Sequence, residues 1–301
     1  MENALTRAFW FALYWALRPM PLRIVRAAAR LLGWLAYVLW VPRRRIALDN
    51  LRHAFPEKTE AERRRIARGA FVNIATTLLE FLVVDRISDE QFAQLVRMRG
   101  EEHFARALEQ GKGAIYLTAH FGNWEWMGRR IVLGGFPLDV LARTQDDERT
   151  ESLVHRLRSA CGMRVIPRAS SRAALRTLRE NRILGILGDQ HSIEASTIVD
   201  FFGRPAATPI GPYVFARRTG APIIIGFCFR QQDGTYEFEL SPPMQLVNSG
   251  DRQADDKANA QQFNRVLEQA VRARPDHWLW MHRRWRPAEC ADARALSNAQ
   301  R

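Results

Sequence analysis

The rhythm of apolar and polar positions changes twice along this chain and divides it into three stretches. Residues 8–17 and 31–41 are short apolar runs, separated by a segment that holds Arg18, Pro19, Pro21, Arg23 and Arg26. Each run is shorter than the roughly 20 apolar residues of a spanning helix, although a helix starting near Arg23 has the length if Arg26 and Arg30 reach out to the interface. The pattern predicts one tilted or interfacial membrane helix. From Thr59 to about Val84 the rhythm is helical: Thr59 is a suitable N-cap, Glu62 completes a capping box, and Ile66, Ala70, Ile74, Leu78 and Leu82 recur on one side. This helix reads as packing structure, with Arg63, Arg64 and Arg65 as its solvated face.

After Gly100 short apolar runs alternate with helical patterns, which is how α/β units read. Strands are predicted at 114–119, 138–142, 164–166, 183–187, 223–229 and 236–240, and helices at 102–110, 124–133, 148–161, 170–180 and 211–219. The expected fold class is α/β: a mixed sheet flanked by helices over 57–301, preceded by an N-terminal membrane-associated helical segment over 1–56. With 301 residues, 47% of them hydrophobic, the chain can bury a core of that size, which excludes disorder. No internal repeat or low-complexity linker interrupts it.

Charge narrows the partners. Lys and Arg number 45 against 32 Asp and Glu, a net +13 that suits nucleic acid, acidic phospholipid, a phosphorylated lipid or an acidic carrier protein. The basic residues are scattered and accompany no helix-turn-helix, zinc-finger or RNA-binding motif, so nucleic acid is not expected. Tryptophan favours the membrane, because Trp10, Trp15, Trp34 and Trp40 cluster at one end and Trp278, Trp280 and Trp285 at the other, beside arginines. Such rings tolerate both phases of an interface while Arg meets phosphate, the alternative being ordinary core tryptophans. Pro42-Arg43-Arg44-Arg45 places its side of the helix in the cytoplasm by the positive-inside rule. No small-residue cleavage site follows 8–17, so a cleaved signal peptide is not expected. Cys161, Cys228 and Cys290 are odd in number and lack CxxC spacing, which suggests neither a disulfide framework nor a zinc site.

The chemistry concentrates in Thr118-Ala119-His120-Phe121-Gly122-Asn123-Trp124-Glu125, where a predicted strand ends and a helix begins. Ligands of open α/β folds bind at such strand ends. Activating a hydroxyl for attack on an acyl thioester needs a base that works near neutrality, which His120 supplies. The base needs an anion to fix its tautomer. Glu125 can serve if a turn at Gly122 folds it back, since residues five apart on a regular helix do not face one another. A rival reading makes His120, Glu125, Asp189 and His191 the ligands of a metal-dependent hydrolase, but no HExxH or dense His/Asp motif supports it, and no metal or organic cofactor is expected.

The chain resembles the lipid A biosynthesis lauroyl/myristoyl acyltransferases, within the wider group that shares a His-x4-Asp/Glu motif. The resemblance covers nearly the whole chain. It rests on Arg45-Ile46-Ala47 with Asn50-Leu51, Ala54-Phe55-Pro56-Glu57, Asn73 and Glu80, on Arg143, Arg158 before Gly162, Gly188-Asp189-Gln190 and Phe201-Phe202-Gly203 followed by Ala206, Thr208 and Gly211, and on 278–285. It implies a glycerol-3-phosphate acyltransferase-like fold, His120 as general base and Glu125 as its partner. Arg158 and Asp189 match a second basic and a second acidic position of the family. A guanidinium there can hold a lipid phosphate or the developing oxyanion, and Asp189 can orient that Arg or the acceptor sugar, or simply pair with Arg158 between strands. Arg143 follows a strand and is expected at the same cleft, as a phosphate contact or as plain surface charge, Gly122 and Asn123 support the motif, and 201–211 lines an acyl channel or the core.

The reaction implied is transfer of a fatty acyl chain from acyl carrier protein to a hydroxyl of a lipid A precursor, at the cytoplasmic face of the bacterial inner membrane. The partners are then acyl carrier protein, a phosphorylated glycolipid and the membrane surface. A lysophospholipid, an ornithine lipid or a glycosylated phosphatidylinositol is the alternative acceptor.

Overall fold

Prolines set the first two helices of the computed structural model, which describes residues 12–142, 148–192 and 195–285. Arg143, Trp10 and Cys290 lie outside the described residues. Helix α1 (Leu22–Leu39) starts directly after Pro21, and α2 (Val41–Ala54) carries Pro42 in its first turn, where the missing N–H costs nothing. The break between them bends the chain by 88°. No single helix among the described residues is long and apolar enough to cross a membrane, while α1 and α2 together meet that test as a bent pair. Helix α3 (Glu60–Leu82) opens with the expected capping box: Glu62 N–H donates to Thr59 Oγ1 and Thr59 N–H to Glu62 Oε2.

Seven strands form one mixed sheet in the order β1-β9-β8-β2-β5-β3-β4. They are β1 (Val96–Arg99), β2 (Ala114–Thr118), β3 (Leu138–Ala142), β4 (Arg164–Pro167), β5 (Ile183–Leu187), β8 (Ile223–Arg230) and β9 (Tyr236–Leu240). Strands β8, β2, β5, β3 and β4 run parallel, β9 returns antiparallel to β8, and β1 lies parallel to β9. A separate antiparallel hairpin joins β6 (Ser196–Phe201) to β7 (Arg204–Pro209). The six strands predicted from apolar runs are all present; β1, the hairpin and the 22-residue helix described below carry no comparable signal.

Both sheet faces are covered, as a parallel sheet requires. Along β2, Ile115, Leu117 and then Ala119 enter one core, with α2, α8 (Ser171–Arg179), α9 (Gly211–Thr219) and α10 (Arg252–Ala273). Ala114 and Tyr116 enter the other, with α1, α4 (Asp89–Leu95), α5 (Glu102–Glu109), α6 (Trp124–Leu133) and α7 (Glu148–Ala160). Helix α3 serves both cores, through Ile66 to Phe71 at its start and Leu79 to Leu82 at its end. At the far edge, Asp139 of β3 is fully buried and accepts from Arg164, Thr177 and Arg182. Burial pushes that carboxyl up, but the three donors outweigh it and hold it below the usual range.

Candidate active site

Strands β2 and β5 are parallel neighbours in register Thr118↔Leu187, yet the chain leaves β2 towards β3 and leaves β5 towards β8, on the opposite side. The helices that follow, α6 and α9, accordingly lie on opposite faces. A crevice opens between strand ends whose connections diverge in this way. The Gly188 amide still bonds the Thr118 carbonyl at 2.8 Å, so the register persists beyond the strands and brings His120 level with Asp189.

His120 Nδ1 lies 2.8 Å from Asp189 Oδ1. A carboxylate only accepts, so the ring proton sits on Nδ1 and Nε2 keeps its lone pair, 3.4 Å from the Gln190 amide nitrogen. The other Asp189 oxygen accepts from the Trp278 indole N–H at 3.0 Å. Asp189 is 2% exposed. Burial works to raise its carboxyl, but the charge and hydrogen bond of His120 and the indole donor together hold it below the usual carboxylate range.

Glu125 does not fold back onto His120, and here the geometry corrects the expected pairing. Its carboxylate is held as a fork by Arg158, Nη2 to Oε1 at 2.6 Å and Nε to Oε2 at 3.1 Å, with the Trp124 indole N–H adding a donor at 3.2 Å. The two acids have exchanged the partners expected of them: Asp189 orients His120, and Arg158 pairs with Glu125 rather than with Asp189. The reason is local. Glu125 lies in the first turn of α6 and faces α7, whereas the end of β5 is already beside the end of β2.

The turn at Gly122 has a different purpose from the one expected. Gly122 has φ +58°, and a Cβ there would stand 1.7 Å from the Cys228 carbonyl oxygen of β8. Its carbonyl accepts from Thr77 Oγ1 at 2.8 Å and Asn73 Nδ2 at 3.3 Å, and its amide donates to the His277 carbonyl at 2.9 Å. Asn123, fully buried, caps α6 by accepting from the Trp126 amide and donates to Glu80 Oε2 at 2.8 Å. Glu80 is itself fully buried and further bonded by Arg26 of α1 at 2.6 Å, Tyr236 at 2.5 Å and Arg230 at 3.2 Å. One stripe of α3, Asn73, Thr77 and Glu80 at spacings of four and three, therefore grips the turn between His120 and Glu125. The sequence marked this helix as packing alone. Its signal was present as polar residues recurring on a face that buries everything else.

Beside the dyad a small pocket opens to solvent. Its walls include Trp124, whose ring meets His120 edge-on at 5.1 Å, the Glu125–Arg158 pair, and apolar Leu138, Val140 and Met163. The segment 201–211 lies elsewhere: Phe201 and Phe202 are buried in the other core, under Trp280 and Trp285. Among the described residues no three His, Cys, Asp or Glu side chains gather as a metal-binding group.

Comparison with known proteins gives this geometry a context. Residues 3–287 match the family described as bacterial lipid A biosynthesis acyltransferase. The chain is 24% identical over 282 residues to the lipid A biosynthesis palmitoleoyltransferase of Escherichia coli K12, covering 92% of this chain and 90% of the relative. It is 26% identical to the lauroyltransferase of the same organism, over 90% of this chain and 88% of that one. A phosphatidylinositol mannoside acyltransferase of Mycobacterium tuberculosis is 29% identical over 62% of this chain and 58% of its own length.

Proposed function

The chain belongs to the bacterial lipid A biosynthesis acyltransferase family and is an acyltransferase, and from that premise we propose that it moves a fatty acyl chain from acyl carrier protein to a hydroxyl of a phosphorylated lipid A precursor. His120 is the general base. Its bare Nε2, fixed by the bond from Nδ1 to Asp189, carries the reading. The acceptor hydroxyl gives its proton to Nε2 as its oxygen attacks the thioester carbonyl, the tetrahedral intermediate collapses, and the proton passes from the imidazolium to the departing thiolate. Asp189 holds the tautomer and balances the imidazolium charge. Arg158, kept in place by Glu125, supplies a guanidinium at the cavity wall for the oxyanion or a lipid phosphate. The apolar walls at Leu138, Val140 and Met163 suit the acyl chain.

The mixed sheet flanked by helices supports the glycerol-3-phosphate acyltransferase-like fold that the sequence implies, and the site is proposed to work at the cytoplasmic face of the inner membrane, with α1 as the contact. Ile24, Leu31, Trp34 and Val38 recur along one exposed side of α1, Leu39 and Trp40 continue it, and Arg43 and Arg45 stand exposed just beyond. Such a face enters the headgroup boundary without spanning it. Replacing Leu31 and Trp34 together by Asp should weaken co-sedimentation with phosphatidylglycerol vesicles by at least about tenfold, since each large apolar side chain buried contributes roughly 1.5 to 3 kcal/mol. Undiminished binding would remove α1 as the contact.

The acceptor is tested with wild-type protein in detergent, offering acylated carrier protein together with a Kdo-bearing tetraacyl lipid A precursor or with a phosphatidylinositol mannoside. The second acceptor is tried because of the similarity to the mycobacterial enzyme. Product from the lipid A precursor alone supports the proposal, and product from the mannoside alone replaces its acceptor. The same comparison run with acyl-CoA decides the donor.

A further inference from the structure

The residue that touches Asp189 from the side away from His120 has no part in the mechanism above. Trp278 lies 89 positions along the chain from Asp189 and is 1% exposed. Its backbone forms an isolated antiparallel bridge with Phe121, the residue after His120, and the preceding carbonyl, of His277, accepts from the Gly122 amide at 2.9 Å. Its indole N–H reaches the Asp189 oxygen that His120 leaves free, at 3.0 Å. The segment thus holds the loop bearing the base with its backbone and the carboxylate with a side chain.

We propose that Trp278 is a positioning residue of the His120–Asp189 pair, setting the separation of its two halves and meeting the Asp189 oxygen that His120 leaves free; the proposal rests on the reading of His120 as the base. A buried carboxylate keeps its charge only if its lone pairs are met. His120 meets one Asp189 oxygen and Trp278 the other. Arg284, fully buried six residues beyond Trp278, adds a cation whose field reaches Asp189: burial brings its guanidinium down to about 10, and Asp189 opposes that fall. Arg284 is bonded to the Ala207 carbonyl and to Thr208 Oγ1 at 2.7 Å and makes no ion pair among the described residues, so Asp189 is the carboxylate that senses it. The remaining charges beside the pair, Glu125 and Arg158 on α6 and α7, are bonded to each other. Two further titratable side chains belong to the same segments, His191 one residue beyond Gln190 and His282 four residues beyond Trp278.

The sign follows from Asp189. A carboxyl held below its unfolded value binds fewer protons in the native protein, so its contribution is complete above about pH 4 and is lost as pH falls through the folded value. Removing the indole donor lets that value rise. A carboxylate that has lost its indole donor holds the imidazolium of His120 more strongly, so the acid limb of the rate profile, where the base takes up its proton, should move to higher pH, and kcat should fall roughly tenfold with KM unchanged, as for the loss of one hydrogen bond to a charged group.

The experiment compares Trp278→Phe with Trp280→Phe. Trp280 packs against Trp278 at 4.7 Å between ring centroids, and its own indole donates to the Pro275 carbonyl, so its replacement removes a buried donor from the same segment without touching Asp189. Both variants should lower the thermal midpoint. Only Trp278→Phe should move the acid limb and lower kcat at constant KM; equal behaviour of the two, or an unmoved limb in Trp278→Phe, overturns the proposal. A second readout needs neither turnover nor a folded variant: the indole N–H resonance of Trp278 in wild-type protein should shift as the pair titrates. A resonance that stays flat as the protein is acidified overturns the proposal. A responsive resonance in a protein that transfers no acyl chain supports the positioning and refutes the assigned reaction, so the two failures are distinguishable.

Discussion

Asp189→Asn is expected to fold and to turn over roughly 10³- to 10⁴-fold more slowly, the loss seen when the acid of a hydrolytic triad is made an amide. The reason lies in what surrounds the carboxylate. Both side chains that face its oxygens are donors, the Nδ1–H of His120 and the Nε1–H of Trp278. An amide offers one oxygen and one NH2. If the oxygen faces His120, the NH2 meets the indole N–H donor to donor. If the NH2 faces His120, Nδ1 must accept, the ring proton moves to Nε2, and the base has no lone pair for the acceptor hydroxyl. The second arrangement spares the indole N–H a facing donor, and it is the inactive one. His120→Ala should be at least as slow, with Asp189 then left on a single side-chain donor.

Glu125→Gln makes the contrast decisive. Glu125 is bonded to Arg158, so its amide form weakens the hold on that guanidinium and leaves the His120 tautomer alone. About tenfold to 100-fold is expected, the scale of losing a residue that orients a ligand-contacting group. The measurement is kcat and KM of acyl transfer for both variants across pH. Should Glu125→Gln prove as slow as Asp189→Asn, Glu125 would be the working partner of His120 and the pairing in the resting structure would not be the active one.

Much of the sheet was legible because its central strands are buried on both faces and write themselves as apolar runs, while β9, Tyr-Glu-Phe-Glu-Leu, alternates buried and more exposed positions. The runs at 138–142, 183–187 and 236–240 coincide with β3, β5 and β9 to the residue. Helix α10 was not legible, because among its buried side chains are Asp255, Asp256, Asn259 and Asn264, which spoil the apolar stripe of Ala260, Phe263, Leu267 and Val271. Strand β1, Val-Arg-Met-Arg, buries only its first residue well and pairs at the sheet edge, so it carries almost no apolar signature. In the site, local sequence identified His120, Glu125 and the importance of Gly122, but partnership depended on which strands are neighbours. That His120 directly follows the run at 114–119 and Asp189 stands two residues beyond that at 183–187 was visible. That β2 and β5 adjoin, with two other strands between them in sequence, was not.

Gly122→Ala is expected to lower stability by about 4 kcal/mol or more, the range reserved for a steric conflict in a fixed backbone. Two effects add. A left-handed φ of +58° strains any residue with a Cβ, and that Cβ would stand 1.7 Å from the Cys228 carbonyl, a backbone atom of a central strand that cannot turn aside. Gly135, at φ +84° with nothing within 4 Å of its Cβ position, isolates the first effect, so Gly135→Ala should cost only about 1 to 2 kcal/mol. The check is the urea midpoint of the two variants beside wild type, at equal slope. Because Thr77, Asn73 and His277 all bond the Gly122 peptide, relief of the clash has to pull the turn off α3 and off the terminal segment together. Any folded remainder of Gly122→Ala should therefore have lost most of its transfer rate, with His120 displaced from Asp189, whereas Gly135→Ala should keep it. Wild-type stability in Gly122→Ala would mean that β8 and the turn can move apart, and the rigid link between the base and the strand behind it would have to be given up.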